Sequence, residues 1–225
     1  MFSGRSKKAT LIWAVVCLLI SLCSVIREAL LFAKINRLLI MFGFLSHLSA
    51  FATLFMLLIG VLYLHGVQKN KISPTIRRIY SALFTIVISA ETFVTIGFWT
   101  MMSWSYIPKY VSTCSSPLIC HLFNFLIHGF PALVTWVMIL TQPTHFAKTD
   151  FLLYLGYIVL FFAIHVPCTL WFKPLYSGMD FNKLGGYLWS LFFLAGLIAC
   201  FKICEFVSDR RSRHLNLGHQ IDDSL

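Results

Sequence analysis

The chain has 225 residues, 59% of them hydrophobic and only 12% charged, with a mean hydropathy of +0.82. A water-soluble domain carries roughly a quarter charged residues, so a soluble globular fold is excluded. The net charge of +10 lies in short Lys/Arg clusters between apolar runs, a membrane-orientation pattern rather than a nucleic-acid-binding face.

Spanning a bilayer takes about 20 apolar residues at about 1.5 Å rise each. The sequence offers six such runs, near 9–26, 38–65, 79–102, 119–141, 150–172 and 184–207. Arg5, Lys7 and Lys8 precede the first run as they would in a signal peptide. That run lacks a small-x-small cleavage site and the next span follows closely, so it is read as a retained helix. The second run is long enough to tilt. Ser73-Pro74 and Pro108 punctuate two connectors, as expected between helices. The expected fold is an all-α integral membrane bundle of about six transmembrane helices over 1–208. A polar cytoplasmic tail over 209–225 is expected to be disordered.

Six spans leave both termini on one side. That side collects eleven Lys and Arg and the other six, which predicts cytoplasmic termini; the composition does not select among endoplasmic reticulum, plasma membrane or another endomembrane. Of seven cysteines, Cys17, Cys23, Cys168, Cys200 and Cys204 lie inside apolar runs, where a thiol acts as a small hydrophobe. No metal site or cofactor is indicated. Cys114 and Cys120 flank a loop and would pair if it faces an oxidising lumen.

Polar side chains inside spans are costly and are the default functional candidates. They are Ser46, His47 and Ser49 in the second run, Glu91 in the third, His128 in the fourth, His165 in the fifth and Glu205 near the end of the sixth. A lone Ser often bonds back to its own helix, and His128 has an equally plain reading as a histidine bonding a neighbouring helix. Glu91 likewise has a structural reading, as a carboxyl kept neutral by burial and bonded to a Ser or a backbone group. Counted from the non-cytoplasmic ends, Ser46 and His128 lie roughly 12–14 Å deep and His165 roughly 10 Å, with Glu91 a little deeper. Four helices would then present polar groups at one level. A hydroxyl beside an imidazole is the minimum for nucleophilic catalysis on an ester.

Phe125-Leu126-Ile127-His128-Gly129-Phe130-Pro131 resembles the histidine-bearing helix of the androgen-induced protein family, which includes the androgen-dependent TFPI-regulating proteins. Three segments agree in order: Phe93-Val94-Thr95-Ile96-Gly97-Phe98-Trp99, then His165 with Trp171-Phe172-Lys173-Pro174-Leu175, then Glu205. The resemblance covers about two thirds of the chain, weakly at each motif and more strongly as an ordered set. It implies a multi-pass hydrolase that cleaves fatty acid esters of hydroxy fatty acids with a threonine nucleophile and a histidine. His128 falls on that histidine. Phe44-Leu45-Ser46 falls on the threonine segment, so Ser46 takes the nucleophile position, with Ser49 or Thr53 as alternative hydroxyls. Serine keeps the hydroxyl but loses the methyl that stiffens χ1. Ile127 stands where the family often has Asn, and Glu91 has no family counterpart.

The leading expectation is a membrane-embedded lipid ester hydrolase with catalytic Ser46 and His128, His165 and Glu91 being candidate assisting groups. Membrane lipids are the substrate, nucleic acid is not a partner, and no protein partner is indicated. The alternative is a catalytically inactive lipid-binding or partner-binding scaffold of the same fold. A proton-coupled carrier using Glu91, His128 and His165 would need a polar path to both faces, and the cytoplasmic halves of the spans are apolar.

Overall fold

The computed structural model describes residues 4–34, 41–68, 73–102, 116–141, 144, 146–171, 176 and 179–222. Among the described residues there is no strand, and the helices are α1 (Gly4–Lys34), α2 (Leu45–Gln68), α3 (Pro74–Gly97), α4 (Pro117–His128), α5 (Phe130–Thr141), α6 (Lys148–Trp171) and α7 (Leu184–Asp222). Five helices are long and apolar enough to cross a membrane, and α4 with α5 makes a sixth candidate bent by 45°. The chain is an all-α, multi-pass bundle, as its hydropathy requires.

Boundaries differ from the expected ones for identifiable reasons. The second span begins at Leu45 rather than 38, because a turn at Gly43 precedes it; Phe44 N donates to Met41 O at 3.2 Å. The last helix continues to Asp222 rather than giving way at 209. No Gly or Pro interrupts 197–217. Ser208 and Ser212 donate to Thr144 O (2.9 and 2.7 Å) and Arg211 Nε donates to Leu140 O (3.0 Å), tying this stretch to the end of α5. Cys120 is disulfide-bonded; Cys114, its expected partner, lies outside the described residues.

Helix α3 is the centre of the bundle, packing on α2, α5, α6 and α7, while α1 lies against α2 and α4. Its inward face carries Phe84, Val87, Ile88, Ala90 and Val94, meeting Tyr154, Phe161, Leu197 and Phe201. Large apolar side chains such as Leu184, Leu188, Leu191 and Phe192 on α7 point outward, which costs nothing against acyl chains.

Polar ties fix the helix ends. At one end the α3 residue Arg78 pairs with fully buried Asp150 of α6 at 2.6 Å, and Asp150 also accepts from Ala147 N at 2.9 Å. At the other end, Leu45 N donates to the Tyr176 hydroxyl at 3.0 Å, satisfying one orphan donor of the α2 N-terminus. Burial raises the Tyr176 phenol above its ordinary value, so it holds its proton and stays a neutral partner. The turn into α7 is an Asp180 loop: Asn182 N donates to its carboxylate at 3.1 Å and Lys183 N to its carbonyl at 3.0 Å. The Asn182 backbone bond and the Lys183 side chain hold the Asp180 carboxyl below its usual range. A Cβ on Gly186 would lie 2.1 Å from Asp180 O, so only glycine closes this turn.

Two stability outcomes follow. Arg78→Ala strands a buried carboxylate and is expected to cost about 1–3 kcal/mol. Thermal unfolding in detergent should show the loss, and Asp150→Asn in the same background should recover part of it. Gly186→Ala is expected to lower the melting temperature through a backbone clash worth about 1–3 kcal/mol; an unchanged melting curve would contradict the tight turn.

Candidate functional site

The fourth span breaks where Pro131 removes a backbone donor, leaving the Ile127 carbonyl without its helical partner. Gly129 sits in the break and lets the Phe125 ring close against it; a Cβ there would lie 2.9 Å from two ring carbons. The His128 carbonyl, freed by the bend, accepts from Thr95 Oγ1 at 2.7 Å. Helix α3 then ends in a π-turn at Phe98–Met102, a feature often found at functional sites. It carries the buried Phe98 ring flat onto the His128 imidazole, with centroids 3.7 Å apart and planes 5° apart. Two separate backbone irregularities therefore set one imidazole.

Helices α1 and α2 both pack on α4, the helix that carries His128. Ser21, Ser24 and Glu28 share one face of α1 and are all buried. Glu28 pairs with its neighbour Arg27, whose guanidinium lies 4.3 Å over the Phe123 ring of α4. Glu28 also lies 3.6 Å from His47 Nε2. Phe32 and Phe44 hold the His47 ring edge-on at 5.3 and 5.6 Å, and it is close enough to His128 for the two to interact electrostatically. Asn124, one turn before His128 on the same side of α4, is 5% exposed.

This region is unusual in its hydrogen bonding. Buried polar side chains are normally paired. Among the described residues, five of the eight enclosed polar atoms that lack a hydrogen-bond partner lie on α1, α2 and α4: Ser21 Oγ, both His47 ring nitrogens, Asn124 Nδ2 and His128 Nδ1. Donors and acceptors without a hydrogen bond on three packed helices are what a site for a polar group enclosed in apolar surroundings requires.

The four residues expected to meet at one level are divided between places. Ser46 is buried in the first turn of α2 (8% exposed), beside His47 in sequence. Among the described residues no hydrogen bond joins it to His128; its carbonyl lies 3.3 Å from Ser49 Oγ, whose one proton goes either there or to Glu91. Glu91 meets the following turns of α2: Ser49 Oγ and Thr53 Oγ1 lie 2.9 and 2.8 Å from its Oε1 as hydrogen-bond partners. His165 is committed elsewhere, its Nδ1 bonded to Gly43 O at 2.8 Å and its Nε2 3.4 Å from the Thr169 hydroxyl. It pins the end of α6 to the turn before α2. Glu205 is an outward residue paired with Lys202 at 2.8 Å.

Glu28 and Asn124 were not among the expected site residues. Glu28 falls just past the expected end of the first span and reads as a connector charge. Asn124 could have been found from its four-residue spacing to His128, which puts both on one helix side. Among the described residues no group of His, Cys, Asp and Glu could hold a metal ion. The chain matches no family profile, no curated protein and no solved structure.

The Thr95 bond offers a direct check on the broken span. Thr95→Val keeps the shape and deletes the donor, and is expected to destabilise the protein by about 0.5–1.5 kcal/mol. An unaltered unfolding temperature would mean that the hydroxyl does not support the break.

Proposed function

We propose that this chain is a membrane-embedded lipid ester hydrolase, with His128 as general base and acid and Ser46 as nucleophile. The observation that carries the reading is the enclosed His128 Nδ1, unpartnered at a helix break among other unpartnered polar atoms of α1, α2 and α4. A catalytic imidazole needs one nitrogen free for proton transfer, and a buried structural histidine normally has both satisfied. His165, with a partner at each nitrogen, illustrates the structural case.

The chemistry runs as follows. Ser46 Oγ attacks the ester carbonyl while His128 accepts its proton; the proton then passes to the leaving alcohol oxygen, and water repeats the sequence on the acyl-serine. His47 cannot serve Ser46 as base, since adjacent helical residues do not face each other; paired to Glu28, it instead sets the field beside His128. Asn124 Nδ2 is a donor available for the developing oxyanion, a role usually worth about 2.7–4 kcal/mol. It supplies from one turn away the amide that Ile127 lacks. The resemblance to the androgen-induced protein family supports fatty acid esters of hydroxy fatty acids as the substrate class. The Lys/Arg distribution supports both termini in the cytoplasm, with the His128 region toward the opposite face.

A second reading is favoured by a specific observation: Ser46 and His128 share no hydrogen bond, and Phe98 covers one face of the imidazole. A scaffold that binds lipid in this region without cleaving it would look the same. Catalytic hydrogen bonds often tighten only with substrate, so hydrolysis itself decides. Purified protein given such esters should release free fatty acid. Ser46→Ala and His128→Ala should each lower the rate by about 100-fold or more, with unfolding temperature retained. No turnover by the wild type, together with lipid binding unaffected by either substitution, establishes the scaffold instead.

A further inference from the structure

Helix α7 is docked by one stripe and leaves another uncovered. Cys200, Cys204 and Ser208 are buried, and Ser208 and Ser212 both donate to Thr144 O. Their four-residue spacing marks the face turned to the bundle. The opposite stripe runs through Leu188, Phe192, Ile203, Phe206, Arg210 and Arg213, all of them exposed. It is apolar for most of its length and becomes cationic over its last turns. The Arg210 guanidinium lies 4.8 Å over the Phe206 ring, so the change is made within one turn.

The depth of that change is the depth of a lipid headgroup. Roughly 20 residues cross the hydrocarbon core of a bilayer, which puts its boundary near Cys204 for a helix entering at Leu184. Arg210 and Arg213 then stand at headgroup level, above side chains that face acyl chains. Among the described residues neither arginine has an ion-pair partner. Glu205, on the adjoining turn, is held by Lys202 at 2.8 Å, and Arg211 is turned to Leu140 O. Two uncompensated guanidiniums call for a ligand with net negative charge, and their planar fork suits a phosphate. A zwitterionic headgroup brings a phosphate but cancels it with its own ammonium. A soluble anion has nothing to lay along Ile203 and Phe206.

We propose that this stripe binds an anionic phospholipid, with an acyl chain along Ile203 and Phe206 and the headgroup phosphate on Arg210 and Arg213. The site does not depend on the esterase reading, because none of these side chains takes part in the Ser46–His128 chemistry.

The test is thermal unfolding of the purified full chain in a neutral detergent. It is titrated with short-chain phosphatidylserine, short-chain phosphatidylcholine, or glycerophosphoserine, which is the headgroup without its chains. Phosphatidylserine should raise the melting temperature of the wild type saturably, and the other two should not. Both arginines are exposed and outside any ion pair, so the double variant Arg210→Gln, Arg213→Gln should fold normally. It should need roughly 30-fold more phosphatidylserine for the same shift, the loss of two surface cations. No shift of the wild type with phosphatidylserine, or an equal shift with phosphatidylcholine, overturns the site. A shift with glycerophosphoserine overturns the lipid in favour of a soluble anion. A phosphatidylserine shift unchanged in the double variant overturns the placement on α7.

Discussion

Inside a bilayer there is no water to satisfy a polar group, so each must find its partner within the protein. Helix α3 meets most of that demand. Its Thr92 hydroxyl bonds back to Ile88 O and accepts from Trp136 Nε1 of α5; Glu91 gathers Ser49 and Thr53 of α2; Thr95 takes the carbonyl freed at the α4–α5 break; and Arg78 holds Asp150 of α6. The bonds that leave α3 reach four different neighbours, α2, α4, α5 and α6. The bundle is thus held by directed polar ties as well as by packing, since lipid offers little hydrophobic drive between helices.

Against that background the exceptions carry meaning. A native structure leaves few buried polar atoms unpaired, and here they concentrate at two places: around His128 and beside Glu91. The first lies where backbone regularity also fails, in a proline-broken span on one side and a π-turn on the other. Irregular backbone at membrane depth is tolerated where it is enclosed by protein. The site uses that tolerance to orient an imidazole against Phe98 while leaving its Nδ1 free. The second place has regular helices and a single acid bonded by two hydroxyls of α2.

Much of the fold was legible in the residues. Apolar runs of spanning length with Lys/Arg clusters between them leave few alternatives to a helical bundle. Helix ends were less legible: α1 extends to Lys34 through Arg27 and Glu28 because those charges find partners in Phe123 and His47, contacts that only the tertiary structure supplies. Likewise α7 passes 208 because Ser208, Ser212 and Arg211 bond to the end of α5. At the site, depth counting placed Ser46, Glu91, His128 and His165 at one level but could not assign their faces. Ser49 and Thr53, four residues apart, serve Glu91, while His47 turns to Glu28. The Gly43 partner of His165 is more than 100 residues away in sequence, and no local pattern announces it.

The central claim is that Ser46 becomes covalently acylated with help from His128. Rapid acid quenching during turnover of a lipid ester, followed by peptide mass spectrometry, reads this directly. The account predicts one added acyl group on the peptide containing Ser46, absent from the His128→Ala protein. An acyl group on Ser49 or Thr53 instead, or none anywhere while ester is consumed, would contradict it.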